Sequence, residues 1–150
     1  LRCVVQRVKN AKVLVNGEIK SEIGKGFLVL LGIEINDSEE DLNFLVRKVS
    51  NLRIFDDENG KLNLSIREIN GEIMVISQFT LYGNVKNGYR PDFTRAEKGE
   101  NAKKFYLKFI ENLKKEGFIV KEGIFGEYML IDFINDGPVT IIIDSKFKDF

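Results

Sequence analysis

Phe27-Leu28-Val29-Leu30-Leu31-Gly32-Ile33 follows the break Gly24-Lys25-Gly26 and contains no polar side chain. An apolar run of this length, bounded by glycine, reads as a strand covered on both faces, although periodicity alone does not separate it from a short buried helix. Upstream, Arg2–Val8 and Ala11–Val15 mix alternation with β-branched residues, and Asn16-Gly17 is a type I′ hairpin signal, with Val13, Val15 and Ile19 on its buried face. Downstream, Asp37 or Ser38 can cap a helix whose first turn holds Glu39, Glu40 and Asp41, and Leu42, Leu45, Val46, Val49 and Leu52 form its apolar stripe.

A second helix is predicted after Asn101, with Phe105, Phe109, Ile110 and Leu113 on one face and Gly117 at its end. Glu72–Phe79, after a turn at Asn70-Gly71, reads as a strand, as do Phe118–Val120, Tyr128–Ile134 and Val139–Ile143. Two helices among seven or so strands, mostly in runs, predict an α+β fold with a largely antiparallel sheet and one domain over residues 1–150. Gly83–Gly99 is a long loop rich in turn formers and charge, a kind of segment that is usually functional or mobile.

Composition narrows the chemistry. Of 150 residues, 43% are hydrophobic and 31% charged, as in ordinary globular proteins. Lysine plus arginine equal aspartate plus glutamate at 23 each, so no whole-chain basicity argues for nucleic acid, and DNA is not expected as a partner. A local basic face stays open. A single cysteine forbids an intramolecular disulfide and points to a reducing compartment. The absence of histidine eliminates His-based triads, Cys/His pairs and the commonest zinc sites. No metal or cofactor is expected. No stretch approaches 18 apolar residues and the opening lacks a charged-then-apolar leader, which predicts neither membrane span nor signal peptide.

Several motifs dissolve on inspection. Asp56-Asp57-Glu58-Asn59-Gly60 resembles a calcium loop, but its glycine puts Phe55 at the first ligand position and Ile66 at the last, so it reads as a hairpin turn. Gly24-Lys25-Gly26 lacks the third glycine of a dinucleotide fingerprint, and Ser77 lacks the glycines of a nucleophile elbow. Cys3 reads as a small core residue. From Lys86 to Lys104, six basic residues (Lys86, Arg90, Arg95, Lys98, Lys103, Lys104) face three acids, interleaved with Tyr89 and Phe93. Such a segment can track a phosphate backbone and stack a base, while charge alone favours a solvated loop.

Two segments resist a bland reading. Ser77-Gln78-Phe79-Thr80-Leu81 ends an apolar strand in hydroxyls and an amide, and Asn135-Asp136-Gly137-Pro138-Val139-Thr140 turns between two apolar strands. Together they resemble the two hallmark motifs of the D-aminoacyl-tRNA deacylases. The resemblance runs nearly end to end, through Gln6-Arg7-Val8, Gly26–Gly32, Arg53-Ile54-Phe55, Gly60-Lys61-Leu62-Asn63 and Gly88-Tyr89-Arg90-Pro91-Asp92-Phe93. Leu62 stands where many members carry methionine, and Ser145–Phe150 extends past the usual ending.

The resemblance implies a cytoplasmic homodimer with a barrel-like sheet and two helices. It also implies hydrolysis of the ester joining a D-amino acid, or mischarged glycine, to the 3′-terminal adenosine of tRNA. Gly137-Pro138 would be cis and enter the partner subunit's pocket, its carbonyls holding the amino group and excluding an L side chain, with Arg7 buttressing the motif. Glycine allows close approach and proline fixes φ, so the pair suits a rigid gauge of chirality. An aminoacyl ester is already activated and the ribose 2′-OH can assist, so positioning and oxyanion donors suffice without imidazole. The expected catalytic set is Ser77, Gln78, Phe79 and Thr80, with Phe79 and Thr80 supplying backbone N–H groups. Thr80 is expected to position rather than attack, since a nucleophile needs a base to take its proton and the chain has no histidine to do so. Lys86, Tyr89, Arg90 and Arg95 are the candidate tRNA contacts. The rival readings are a non-catalytic tRNA-binding module, a small-molecule esterase using Ser77 or Thr80, and a purely structural dimer.

Overall fold

The computed structural model describes residues 1–150 and places the apolar run in β3 (Gly26–Gly32), paired along both edges. Its side chains alternate between two cores. Phe27, Val29 and Leu31 join the larger cluster beneath the helices, and Leu28 enters a smaller one inside the sheet. The expected strand with both faces covered is the one that forms.

β1 (Arg2–Val15) runs antiparallel to β3 from Arg2 opposite Gly32 to Val8 opposite Gly26, then continues into a hairpin with β2 (Glu18–Ile23). Asn16 and Gly17 both take positive φ, 52° and 79°, as the type I′ signal requires. The two strands expected over Arg2–Val15 are one, because β8 (Leu130–Asp144) ladders along the other edge on both sides of Lys9-Asn10. Register shifts after Gln6 and Val8 rotate the strand between cores: Cys3 and Val5 pack toward the helices, whereas Val8, Ala11 and Val13 face the smaller cluster. Cys3 is fully buried and burial is the main force pushing its thiol up to about 12, so it is an inert core residue.

β8 is likewise a single strand where two strands and a turn were expected. Gln6 faces Thr140 and Val8 faces Asn135, so Asp136–Val139 is extruded from the ladder while pairing resumes on either side.

β3 pairs parallel with β6 (Glu72–Ser77), and β6 parallel with β7 (Val120–Glu122). Each parallel step is bridged by a helix, α1 (Glu39–Asn51) and then α2 (Gly99–Lys115), as parallel crossovers require. The sheet is therefore antiparallel around β1 and parallel beyond β3. Ser21 Oγ on β2 donates to the Glu122 carbonyl of β7 at 2.7 Å, which brings the two outer strands together and nearly closes a barrel. The acidic Asp56–Gly60 stretch is the turn of a small hairpin, β4 (Phe55–Asp56) and β5 (Leu62–Leu64), with Asp57 Oδ1 accepting from the Asn59 and Lys61 N–H groups.

α1 starts with a capping box between Ser38 and Asp41, and its stripe ends at Val49, Leu52 being the C-cap. α2 starts at Gly99, ahead of Asn101, and buries Ala102 and Tyr106 beside Phe109, Ile110 and Leu113, with Phe105 only partly buried. The Tyr106 hydroxyl donates to the Val75 carbonyl at 2.7 Å and accepts from the Gly123 N–H at 3.2 Å, so the ring is buried with its polar tip satisfied.

Two predictions follow from this packing. A Cβ on Gly26 would lie 1.8 Å from the Glu72 carbonyl oxygen, which forces β3 and β6 apart. Gly26→Ala should destabilise the protein by about 3 kcal/mol in urea titration, the upper range for overpacking; a loss below about 1 kcal/mol would mean that the strands separate freely. At the far end of the same sheet, Asp144 faces Arg2 across the β1–β8 ladder with its side chain almost wholly buried. Burial pushes its pKa up, but the Phe147 N–H, the Arg2 guanidinium and the Lys146 N–H outweigh burial and hold it below the ordinary value. A carboxylate depressed in the fold binds fewer protons there than when unfolded, so its stabilisation is complete above the unfolded pKa of about 3.9 and is lost as pH falls below it. With no histidine in the chain, the urea midpoint should stay level from about pH 7 to 5 and drop below about pH 4. Asp144→Asn should make that acid limb shallower without abolishing it, because Asp41, Asp57, Asp92 and Glu97 are also held below their ordinary values. An unchanged limb would remove Asp144 as a contributor.

Candidate functional site

β3 and β6 reach their ends together, Leu31 opposite Ser77. The Gln78 N–H donates to the Leu31 carbonyl at 2.8 Å, and the chain then tightens into a 3-10 turn, Phe79–Tyr82. The expected strand to Phe79 thus stops at Ser77. The first N–H groups of a helical turn have no intrahelical carbonyl, and here they belong to Phe79 and Thr80.

Ser77, Gln78 and Phe79 line one wall of a cleft of about 280 Å³, floored by Leu31 and Ile33. Glu97, Lys98, Gly99 and Ala102 at the start of α2 form the opposite wall, and Phe125-Gly126 closes one end. Thr80 lies outside the lining and is exposed; its Oγ1 accepts from Gln78 Nε2. Phe79 stands half-exposed at the mouth, edge-to-face with Phe93 at 5.1 Å between centroids. The only ionisable side chains in the lining are Glu97 and Lys98. The Lys98 N–H and the Asn101 amide hydrogen-bond the Glu97 carboxylate and lower its pKa, which leaves it ionised and a weak base at neutral pH.

The 3-10 turn is pinned from behind. Arg2 Nη1 donates to the Leu81 carbonyl at 2.9 Å while its Nε bonds Asp144 at 2.8 Å, and its guanidinium lies over the Tyr82 ring at 4.8 Å. Arg95 approaches the same ring at 5.6 Å and binds Glu34 through Nε and Nη2 at 2.9 and 2.6 Å. Its charge is committed to anchoring the segment that carries Glu97 and Lys98 to the cleft, since the Glu97 N–H in turn donates to Ile33. Lys86, Tyr89 and Arg90 are exposed on the loop beyond Gly83, Tyr89 completely so.

The second motif sits elsewhere. The Gly137–Pro138 peptide is cis, and both residues are exposed on the extruded segment of β8. Gly137 has φ 129°, and a Cβ there would lie 2.8 Å from Val139 Cγ2 and 3.1 Å from Arg7 Nη2, so both backbone and space call for glycine. Arg7 is buried beneath it: Nε donates to the Asp136 carbonyl at 3.0 Å, and Nη1 donates to the Ile54 carbonyl at 2.9 Å and Asp56 Oδ1 at 3.2 Å. Arg7 pairs with Phe27, four residues before Leu31 on β3. Four residues of rise and three strand spacings separate Gly137 from Ser77 by roughly 15–20 Å. One chain does not bring its two motifs together.

Glu97, Lys98 and Phe125 were not legible as site residues in sequence. They are apposed to Ser77 only by the crossover through α2, and the sole local signal was the basic run from Lys86 to Lys104.

Comparison with known proteins covers the whole of this architecture. The sequence model of the family described as D-Tyr-tRNA(Tyr) deacylase matches residues 4–144, a span that includes both motifs. The D-aminoacyl-tRNA deacylase of Dictyoglomus turgidum is 54% identical over 146 residues, 97% of this chain and 94% of that one. That of Clostridium novyi is 53% identical over 150 residues, all of both chains. Among solved structures, one titled c-Myc DNA Unwinding Element Binding Protein superposes with a TM-score of 0.90 at 45% identity, over 96% of this chain and 98% of its own. A probable eukaryotic D-amino acid tRNA deacylase has the same fold, with a TM-score of 0.80 at 20% identity over 95% and 98%. A family match that spans both motifs, with identity above one half across whole chains, leaves one conclusion: this chain belongs to the D-aminoacyl-tRNA deacylase family.

Proposed function

We propose that the chain, as one domain in the cytoplasm, hydrolyses the ester of D-aminoacyl-tRNA, and of mischarged glycyl-tRNA, to free amino acid and tRNA. The observation that carries this reading is the separation of two built sites. The cleft at Ser77–Phe79 sets its donors against a largely apolar lining with Glu97 and Lys98 at one wall, and the Gly137-Pro138 projection is held by Arg7 away from that cleft in its own chain. A second copy supplies the missing half: each subunit's Gly137-Pro138 enters its partner's cleft. β8 supports such pairing, because Leu130, Ile134 and Ile142 leave apolar side chains exposed along a strand whose outer edge is unpaired.

In that assembly the backbone carbonyls of Gly137 and Pro138 accept the substrate's amino group. An L side chain would collide with backbone that Arg7, packed against Ile54 and Asp56, does not allow to retreat. Water, assisted by the ribose 2′-OH, attacks the ester carbonyl; the C–O3′ bond breaks and the 3′ oxygen leaves as a hydroxyl. The Phe79 and Thr80 N–H groups, with Ser77 and Gln78 beside them, stabilise the oxyanion. This chemistry asks nothing of a histidine, a metal or a cofactor. Thr80 serves through its bond to Gln78, holding the amide over the cleft.

The first experiment is the decay of matched D- and L-tyrosyl-tRNA with and without EDTA. Loss of the D ester alone, indifferent to EDTA, is expected. Equal decay of both esters would remove the Gly-Pro gauge and favour a general esterase, and tRNA binding without decay would favour a binding module. A second experiment addresses Thr80. Thr80→Val should retain substantial deacylation, within about tenfold of the parent, because no base activates the hydroxyl. Loss to background with fold and oligomeric state intact would make Thr80 the nucleophile.

A further inference from the structure

We propose that the outer face of α2, from Lys98 through Lys103 and Lys104, carries the sugar–phosphate backbone of the substrate's acceptor stem as it leaves the cleft. The inference rests on the deacylase reading for the identity of its ligand. The start of α2 is itself a wall of the cleft, through Lys98, Gly99 and Ala102. A 3′ end seated beside Ser77 therefore has this helix at its side. Ala102 points into the core, and Lys103 and Lys104, about 100° and 200° further round the helix, are exposed and line a shallow groove of about 430 Å³ with Leu107, Lys108 and the carboxylates of Glu100 and Glu111. The path from Lys98 to Lys104 covers about 9 Å of helix axis, the reach of two or three successive phosphates.

Charge bookkeeping separates these lysines from their neighbours. From the cleft wall to the end of the groove, residues 97–111 hold four lysines against Glu97, Glu100 and Glu111. Lys108 is neutralised by Glu39, as Lys115 is by Glu111, while Lys98, Lys103 and Lys104 make no ion pair. Arg95, the cation nearest to them in sequence on the other side, is held by Glu34. The N-cap of α2 is Lys98, without a side-chain cap, but Glu97 accepts from the Lys98 N–H and Glu100 stands in the first turn, so the attraction rests on the lysine side chains and not on the helix end. Mounted on a helix, the lysines keep a fixed spacing that the Lys86–Arg90 loop does not impose. The chain as a whole carries no net charge, so no global positive field adds to the pull of this track.

The test is Lys103→Glu/Lys104→Glu in the full chain, with Lys103→Arg/Lys104→Arg as control. Affinity for an acceptor-stem minihelix with a single-stranded 3′ tail and no amino acid attached is measured across salt, alongside turnover of D-tyrosyl-tRNA and of D-tyrosyl-adenosine, which has no stem. For the parent, the log–log salt slope should be shallower than −6, as expected of a few phosphates. The Glu variant should bind the minihelix at least tenfold more weakly with a slope shallower by about 2. It should raise KM for D-tyrosyl-tRNA, leave kcat in place and cleave D-tyrosyl-adenosine as the parent does, and the Arg control should match the parent. Minihelix affinity within twofold of the parent would overturn the proposal, as would equal loss on both esters, which would place the lysines in the cleft's own work. A parent that binds the minihelix yet cleaves neither ester would overturn the deacylase reading while the binding comparison still decides the track.

Discussion

β3 has no face left for water. Phe27, Val29 and Leu31 need a layer on one side and Leu28 on the other, and both edges need ladder partners. The long β1 meets one edge and curls onward to help enclose the inner cluster; β6 meets the other edge in parallel, which obliges the chain to cross over through α1. The second parallel step obliges another crossover, α2. Because parallel strands end on the same side, Leu31 and Ser77 terminate together and α2 begins beside them. The cleft is thus a consequence of satisfying one doubly buried strand.

Arg7 is the second constraint. A buried guanidinium needs acceptors, and Arg7 finds them in the carbonyls of Asp136 and Ile54 and the carboxylate of Asp56. These acceptors lie in segments far apart in sequence, so one side chain locks the extruded part of β8 to the β4 hairpin. The extrusion is what makes Gly137 and Pro138 a projection rather than rungs of the ladder. The cleft and the projection are held by separate networks, the cleft's running through Arg2, Tyr82, Arg95 and Glu34. The two halves lie apart within a chain, and only the dimer proposed above would join them.

The elements with strong local signals were legible. Asn16-Gly17 adopted the positive φ values that its type predicts, Ser38 capped α1, and the acidic Asp56–Gly60 stretch turned a hairpin. Errors gathered where a neighbour overrode a local break. Lys9-Asn10 and Asp136–Val139 look like interruptions in sequence, yet β1 and β8 carry each other through them by laddering on both sides. The stripe of α2 was read without Ala102 and Tyr106, since a small residue and a tyrosine weigh little in an apolar pattern until one is seen packed and the other bonded to Val75 and Gly123.

By itself, the sequence determined the class of fold, the helices and turns, the exclusion of imidazole chemistry, and the two motifs through which the family is recognised. These depend on periodicity, backbone permissiveness and residue identity, all of which act over a few positions. The tertiary structure alone decided that Glu97, Lys98 and Phe125 share a cleft with Ser77, that Arg95 is spent on Glu34 while Lys103 and Lys104 stay unpaired, and that Gly137 lies out of reach of Ser77 in its own chain. Each of these is a relation across dozens of residues, set by crossover direction and strand register, and no local pattern carries register between strands that are distant in sequence.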